Sequence, residues 1–117
     1  QLKADVDSFA NYYFNWHFPK AVKYCTQESE RWLRYAASNV NATDVEQLRQ
    51  KPEDASIEIT DIDFGDDEKT ATITLTVHNF LQMDSIGQDP QLIEQADFQL
   101  PMCMEKGLWK IKLDKLP

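Results

Sequence analysis

The sequence predicts an α+β fold, in which N-terminal helices pack on one face of a curved antiparallel sheet of about four strands. Two observations lead to this prediction. Apolar residues recur at helical spacing through the first part of the chain, and from Ala55 onward they alternate with a period of two. The chain of 117 residues is long enough for one core, so we expect a single domain over residues 1–117.

The N-terminal part is predicted to form a series of short helices. Apolar and aromatic side chains recur at helical spacing over residues 3–16. Pro19 suits the first turn of a second helix, because that position needs no backbone N–H. A third helix is predicted to follow Thr26, which can act as its N-cap, and to run to about residue 38. A fourth helix is predicted over residues 43–50.

The strand predicted from Thr70 to Leu81 organises the rest of the chain. Its residues alternate strictly between two faces, which a helical period cannot produce. One face is apolar apart from Asn79 and is expected to point into the core. The opposite side of the sheet, which we call the threonine face, carries the threonines of this strand together with His78 and Phe80. Threonine suits that side because its branched Cβ fits the pleat and its hydroxyl tolerates water.

The remaining strands are predicted before and after this one along the chain. The strand from Ala55 to Phe64 changes phase near Thr60–Asp61, which predicts a β-bulge, and residues 65–68 have the composition of a hairpin turn. A connection over residues 82–95 is expected to precede the next strand.

The C-terminal strands complete the predicted sheet. Asp89–Pro90 can start a brief helical turn in the connection, with Leu92 and Ile93 as its apolar anchors. Alternation resumes at Ala96, and Pro101 inside this strand argues for an edge position or a bulge.

The composition argues against two classes of partner. A net charge of −8 disfavours a nucleic-acid partner, which needs a basic patch. No run of 18 apolar residues occurs, so the sequence predicts no transmembrane segment.

The start at Gln1, without an initiator methionine, leads us to expect a mature form that has lost a leader. An extracytoplasmic location, periplasmic or lipid-anchored, is therefore the favoured expectation, although a trimmed cytoplasmic chain would begin in the same way. Cys25 and Cys103 do not decide the compartment, since neither lies in a metal or redox motif. We expect both to be unpaired and to pack as small apolar residues rather than to form a disulfide.

Several stretches together resemble the nuclear-transport-factor-2-like (SnoaL-like, cystatin-like α+β) superfamily. They are a long first helix that ends in aromatic residues, a short second helix in Phe18-Pro19-Lys20-Ala21-Val22-Lys23-Tyr24-Cys25-Thr26, a long strand after a hairpin, and a closing Gly107-Leu108-Trp109-Lys110-Ile111. The resemblance implies a cone-like arrangement of helices over a bent sheet, with a pocket between them. Members include isomerases, dehydratases, polyketide cyclases, transport adaptors and small secreted domains.

The inward-facing positions bear on whether the chain is an enzyme. Isomerase-like relatives place a carboxylate on an inner strand position and a tyrosine on a helix. Here the predicted inner faces carry neither a carboxylate nor a histidine, and Asn79 is their one polar residue. We therefore predict a non-catalytic binding or interaction domain, with no catalytic residue, metal site or cofactor. A pocket enzyme of the isomerase, dehydratase or cyclase type is the alternative.

Two sets of residues are candidates for binding. A pocket for a small apolar molecule would use aromatic walls and a few polar tips, and the candidate residues are Tyr13, Trp16, His17, Tyr35 and Asn79. Core packing is the competing interpretation of the aromatic residues. The end of the threonine face is too apolar for a sheet surface that is fully exposed to water. This predicts a homodimer, and its interface would be formed by Thr72, Thr74, Thr76, His78 and Phe80.

Overall fold

The computed structural model describes residues 2–40, 42–51, 53–82, 91–113 and 116–117, and it shows an α+β fold. Helices occupy the N-terminal half of the described chain and a sheet occupies the C-terminal half. The fold class predicted from the sequence is therefore confirmed. The helices are α1 (Leu2–Phe14), α2 (Phe18–Ala21), α3 (Glu30–Ser38) and α4 (Ala42–Gln50), with 3₁₀ turns at Val22–Tyr24 and Gln27–Ser29.

The sheet is an antiparallel meander, because each strand pairs with the next one along the chain. Its strands are β1 (Ser56–Phe64), β2 (Thr70–Gln82), β3 (Gln91–Glu105) and β4 (Leu108–Ile111). Gly65 begins the turn from β1 to β2, and a Cβ at this position would collide with the Thr70 hydroxyl. Gly107 makes the last turn with φ of 80°, a conformation that glycine adopts without steric cost.

Two details of the strands test the sequence-based expectations. The register of β1 against β2 shifts between Ile59 and Asp61, which confirms the predicted bulge. The third strand begins at Gln91 rather than at Ala96, so Leu92 and Ile93 belong to β3 and not to a helical turn. The predicted start of that turn, Asp89–Pro90, lies outside the described residues.

The core lies between α1 and the side of the sheet opposite the threonine face. α1 contacts β1, β2 and β4, while α2 packs on α3. The inner side of β2 is fully enclosed, since Ile73, Leu75 and Val77 are 0% exposed. Each large aliphatic side chain buried in this way contributes about 1.5–3 kcal/mol, so this strand is the main apolar support of the fold.

The segment between α2 and α3 is fastened to the end of the sheet. The backbone N–H of Thr26 donates to the carbonyl oxygen of Ile111 at 2.8 Å. The hydroxyls of Thr26 and Ser29 lie 2.6 Å apart, and the N–H of Leu113 donates to Ser29 Oγ at 2.7 Å. Both hydroxyl side chains are buried, so they partner each other and the chain that leaves β4.

Within the described part of the chain, no helix is long and apolar enough to cross a membrane. Both cysteines are free thiols; Cys25 is buried and Cys103 is half-buried.

Candidate functional site

Tyr13, a predicted ligand-binding residue, lies in the core. Its side chain is 8% exposed. Its ring meets Phe14 and Phe18 edge-on, at centroid distances of 4.9 and 5.4 Å, and stacks on Phe9 at 5.8 Å. The hydroxyl donates to the carbonyl oxygen of Pro117 at 3.4 Å. Burial raises the pKa of the Tyr13 hydroxyl well above its ordinary value, so the group stays protonated at neutral pH.

Trp16 occupies an unusual backbone position two residues after the end of α1. Its φ of 63° lies in the left-handed region, where a glycine normally ends a helix. The two hydrogen bonds of a Schellman turn are present, from the N–H of Trp16 to the Tyr13 carbonyl and from the N–H of His17 to the Tyr12 carbonyl. The indole compensates for the strained backbone, because it packs on Phe18 at 5.8 Å and donates from Nε1 to the Leu81 carbonyl at 3.1 Å.

His17 lies beside Trp16 and is exposed. Its carbonyl oxygen accepts the N–H groups of Lys20 and Ala21, which makes it the residue that begins α2. The structure therefore assigns a local backbone role to His17.

Asn79 does not point into the core as the alternation predicts. Its φ is 57°, and its side-chain amide donates to Glu53 Oε2 at 3.2 Å on an exposed part of the surface. A left-handed residue inside a strand interrupts the pleat, and asparagine is one of the residue types that tolerate this conformation.

Phe80 was predicted on the threonine face, and that placement is wrong. The residue is 1% exposed, and its ring packs against Phe14 at 5.3 Å and Phe98 at 5.6 Å. The physical reason is the left-handed turn at Asn79, after which the alternation of β2 reverses its phase. Phe80 is consequently a core residue and cannot belong to an interface on the threonine face.

Tyr35 lies apart from the other predicted ligand residues. It is 45% exposed on α3 and lines a shallow groove of about 360 Å³ together with Arg31 and Trp32. The Arg31 guanidinium lies over the Trp32 ring at 5.5 Å, a cation–π contact. The groove is open and mainly apolar, with one cationic group at its rim.

The five predicted ligand residues therefore divide among separate places. Tyr13 and Trp16 come together on the ring of Phe18. His17 begins α2, Tyr35 lies on the exposed side of α3, and Asn79 lies at the interruption of β2.

The threonine face is the broadest surface that the predicted residues share. Thr72, Thr74 and His78 are half-buried there, and Thr76 is 9% exposed. The Thr76 hydroxyl donates to Asp97 Oδ1 at 2.6 Å, so the neighbouring strand supplies its partner. In the described part of the chain, α1 packs on the opposite side of the sheet. Thr72, Thr74 and His78 keep part of their surface exposed.

One row across the threonine face carries charges of opposite sign at its two ends. Asp63 pairs with Thr72, Thr72 pairs with Pro101, and the N–H of Lys112 donates to the Pro101 carbonyl at 2.8 Å. With strands about 4.8 Å apart, Asp63 and Lys112 are separated by about 14 Å across the sheet. Both side chains are exposed and line an open groove of about 300 Å³ at this end of the face.

The thiol of Cys25 is not activated for nucleophilic chemistry. Burial, reinforced by the nearby Glu30 carboxylate, raises the pKa of the Cys25 thiol to about 11, so this cysteine is a poor nucleophile at neutral pH. Among the described residues, no group of three metal-ligating side chains converges.

Asp63, Asp97 and Lys112 were not among the residues predicted to form a site. The alternation of their own strands does place them on the threonine face. The change of phase at Thr60–Asp61 was enough to place Asp63 on this face. Its position opposite Thr72 and in line with Lys112 depends on the register between strands, which a single sequence does not contain.

Comparison of the chain with protein-family models, with curated proteins and with solved structures gave no match.

Proposed function

We propose that this chain is a non-catalytic interaction domain that forms a homodimer through the threonine face of its sheet. The observation that carries the proposal is this face itself: Thr72, Thr74 and Thr76 form an uncharged centre, and Thr72 and Thr74 keep part of their surface exposed. An antiparallel sheet with one face on helices commonly has a solvated second face, and here acidic residues flank the threonines, Glu58 and Asp61 on β1 and Asp97 on β3. A second sheet packed here would complete a sandwich.

The second copy fits this face by charge. A two-fold axis parallel to the strands, above the middle of the sheet, places β1 of one copy over β4 of the other. The row of residues from Asp63 to Lys112 then runs in opposite directions in the two copies. Asp63 of each copy therefore faces Lys112 of the other. Thr76 correspondingly lies over Asp97 of the second copy, and each keeps its hydrogen bond within its own sheet. Opposed charges of this kind determine register and orientation more than affinity.

The size of the face is also compatible with a dimer. Four strands about 4.8 Å apart and a β1 of nine residues give a surface about 19 Å wide and about 30 Å long. This rectangle of about 570 Å² is an upper value, because β4 has only four residues, and it lies below the roughly 800 Å² that each partner contributes to a standard interface. We therefore expect a reversible dimer rather than an obligate one.

Sedimentation equilibrium over a range of protein concentrations tests the proposal. The native chain is expected to dimerise, and Thr74→Arg should raise the dimer dissociation constant at least about tenfold, because it introduces a charge at the centre of the face. Thr43→Arg is the matched control, since it makes the same change at an exposed position of α4. A native chain that stays monomeric at high concentration would refute the dimer.

Binding of a small apolar molecule is a second candidate function, favoured by the groove that Tyr35 lines with Arg31 and Trp32. Anilinonaphthalene sulfonate combines apolar rings with an anionic group and is a suitable probe. Saturable fluorescence enhancement that Arg31→Ala weakens, and that Arg34→Ala leaves unchanged, would support this function. Arg34 is a matched control because it lies on the same helix and pairs with Glu30 instead. Equal behaviour of the two variants would argue against it.

The resemblance to the nuclear-transport-factor-2-like superfamily, the extracytoplasmic location and the alternative of a pocket enzyme stay predictions of the sequence.

A further inference from the structure

The third strand has a long open edge. β4 pairs with Met102–Glu105, and the last backbone hydrogen bond between β4 and β3 joins the N–H of Lys112 to the Pro101 carbonyl. Residues 95–100, which precede Pro101, pair without interruption with β2 on one side. On their other side, no strand in the described part of the chain pairs with them.

Proline explains why the ladder between β3 and β4 ends where it does. The Pro101 carbonyl points toward β4, so an N–H at this residue would point the same way, but proline has none. In an antiparallel strand, the backbone groups of alternate residues point to the same side. Gln95, Asp97 and Gln99 therefore direct their N–H and C=O groups toward the open edge, and all three residues are exposed.

The two edges of the sheet differ in how they are protected against strand pairing. β1 carries a bulge between Ile59 and Asp61. Bulges, prolines and lysines are the usual devices that prevent an edge from pairing with another chain. Between Gln95 and Gln99 the pairing with β2 is regular, and the segment contains neither lysine nor proline. This edge is therefore open to an added strand.

The side chains along the edge indicate the chemistry of the occupant. On the core side, Phe98 and Ala96 are only half-buried, and Leu92 is 56% exposed nearby. The charged residues between Gln91 and Leu100 are both acids, Glu94 and Asp97. An added strand would place alternate side chains beside the apolar residues and the others beside the acids.

We propose that the open edge of β3, from Gln95 to Gln99, binds an extended peptide of a partner protein in which apolar residues alternate with lysine or arginine. The peptide forms backbone hydrogen bonds to the edge, its apolar side chains cover Phe98, and its cations approach Asp97. Strand addition of this kind obtains affinity from the backbone and specificity from alternate side chains. A second copy that paired its own β3 edge here is a poorer occupant, because it would bring Glu94 and Asp97 beside the same acids.

A synthetic peptide tests the proposal directly. The probe is fluorescein-labelled Lys-Val-Lys-Val-Lys-Val-Lys, and its binding to the full chain is followed by fluorescence anisotropy at low ionic strength. Saturable binding is expected. A block peptide of the same composition, Lys-Lys-Lys-Lys-Val-Val-Val, should bind at least about tenfold more weakly because it has lost the alternation. Equal binding of the two peptides would show attraction by charge alone and would overturn the proposal.

Variants of the protein locate the binding at the edge. Gln99→Pro removes an N–H that points outward without touching the pairing with β2, and it should weaken binding at least about tenfold, whereas Gln99→Ala should not. A probe methylated at every backbone nitrogen gives the same test without altering the protein, and its binding should be lost. Unchanged binding in either test would overturn the proposal. Self-association of the chain that Gln99→Pro abolishes, and that Thr74→Arg on the threonine face leaves unchanged, would assign the edge to a second copy and would overturn it as well.

Discussion

At the scale of single residues, two backbone angles decide which side chains reach the core. Trp16 and Asn79 both adopt positive φ values, 63° and 57°. At Asn79 this conformation turns Phe80 inward and leaves the amide on the surface beside Glu53. The sequence contains one hint, an asparagine inside a strongly alternating strand, but tertiary contacts decide whether such a residue becomes left-handed. The alternation alone therefore assigned Asn79 and Phe80 to the wrong faces.

Substitution of Asn79 tests this conformation. Asn79→Gly should change the free energy of unfolding by less than about 0.5 kcal/mol, because glycine adopts positive φ freely and the lost contact to Glu53 is exposed. Asn79→Val should destabilise the fold by about 1–2 kcal/mol, because a β-branched residue is strained at this angle. Urea denaturation measures both values. Equal stability of the two variants would contradict the assigned backbone angle.

Two buried groups, the Cys25 thiol and the Tyr13 hydroxyl, lower the free energy of unfolding at alkaline pH. Burial raises the pKa of the Cys25 thiol from its ordinary 9.0 to about 11, and burial also raises the pKa of the Tyr13 hydroxyl above its ordinary value. The folded chain therefore keeps protons that the unfolded chain releases, so these groups leave stability unchanged below pH 9.0 and reduce it as the pH rises toward about 11. The urea concentration at the midpoint of unfolding should therefore decrease between pH 9.0 and about 11. Tyr13→Phe and Cys25→Ala should each reduce the slope, and a flat profile in the native chain would contradict the burial of both groups.

At the scale of elements, the sequence predicted the strands with strict alternation best. The bulge in β1 followed from a visible change of phase near Thr60–Asp61, and the register of the structure confirms it. The start of β3 was missed by five residues, because Gln91–Gln95 shows no alternation and because Leu92 and Ile93 are adjacent apolar residues. Pairing with the end of β2, a long-range interaction, is what holds this stretch extended.

The contact between the helical layer and the end of β4 can be tested at Ser29. Ser29→Ala should lower the free energy of unfolding by about 1–3 kcal/mol, because the buried N–H of Leu113 and the hydroxyl of Thr26 both lose their partner. Ser38→Ala is the control, since its hydroxyl donates to the Tyr35 carbonyl on an exposed surface and should cost less than about 0.5 kcal/mol. Chemical denaturation measures the difference. A cost at Ser29 no larger than that at Ser38 would show that this contact does not stabilise the fold.

At the scale of the whole molecule, α1 and the threonine face lie on opposite sides of one sheet. The periods of the apolar residues were sufficient to predict this division. They were not sufficient to predict which side chains converge, because Tyr13, Tyr35 and Asn79 belong to different elements whose relative positions depend on packing. The division itself is what points to the threonine face as the surface for a second copy.

Charge reversal across the threonine face tests the dimer most directly, with sedimentation equilibrium as the measurement. Asp63→Lys and Lys112→Asp should each raise the dimer dissociation constant about tenfold, because each places like charges opposite one another. The double variant restores opposed charges in the opposite sense, and its dissociation constant should return close to that of the native chain. A double variant that dissociates as readily as either single variant, or a native chain that sediments as a monomer at every concentration, would contradict the account.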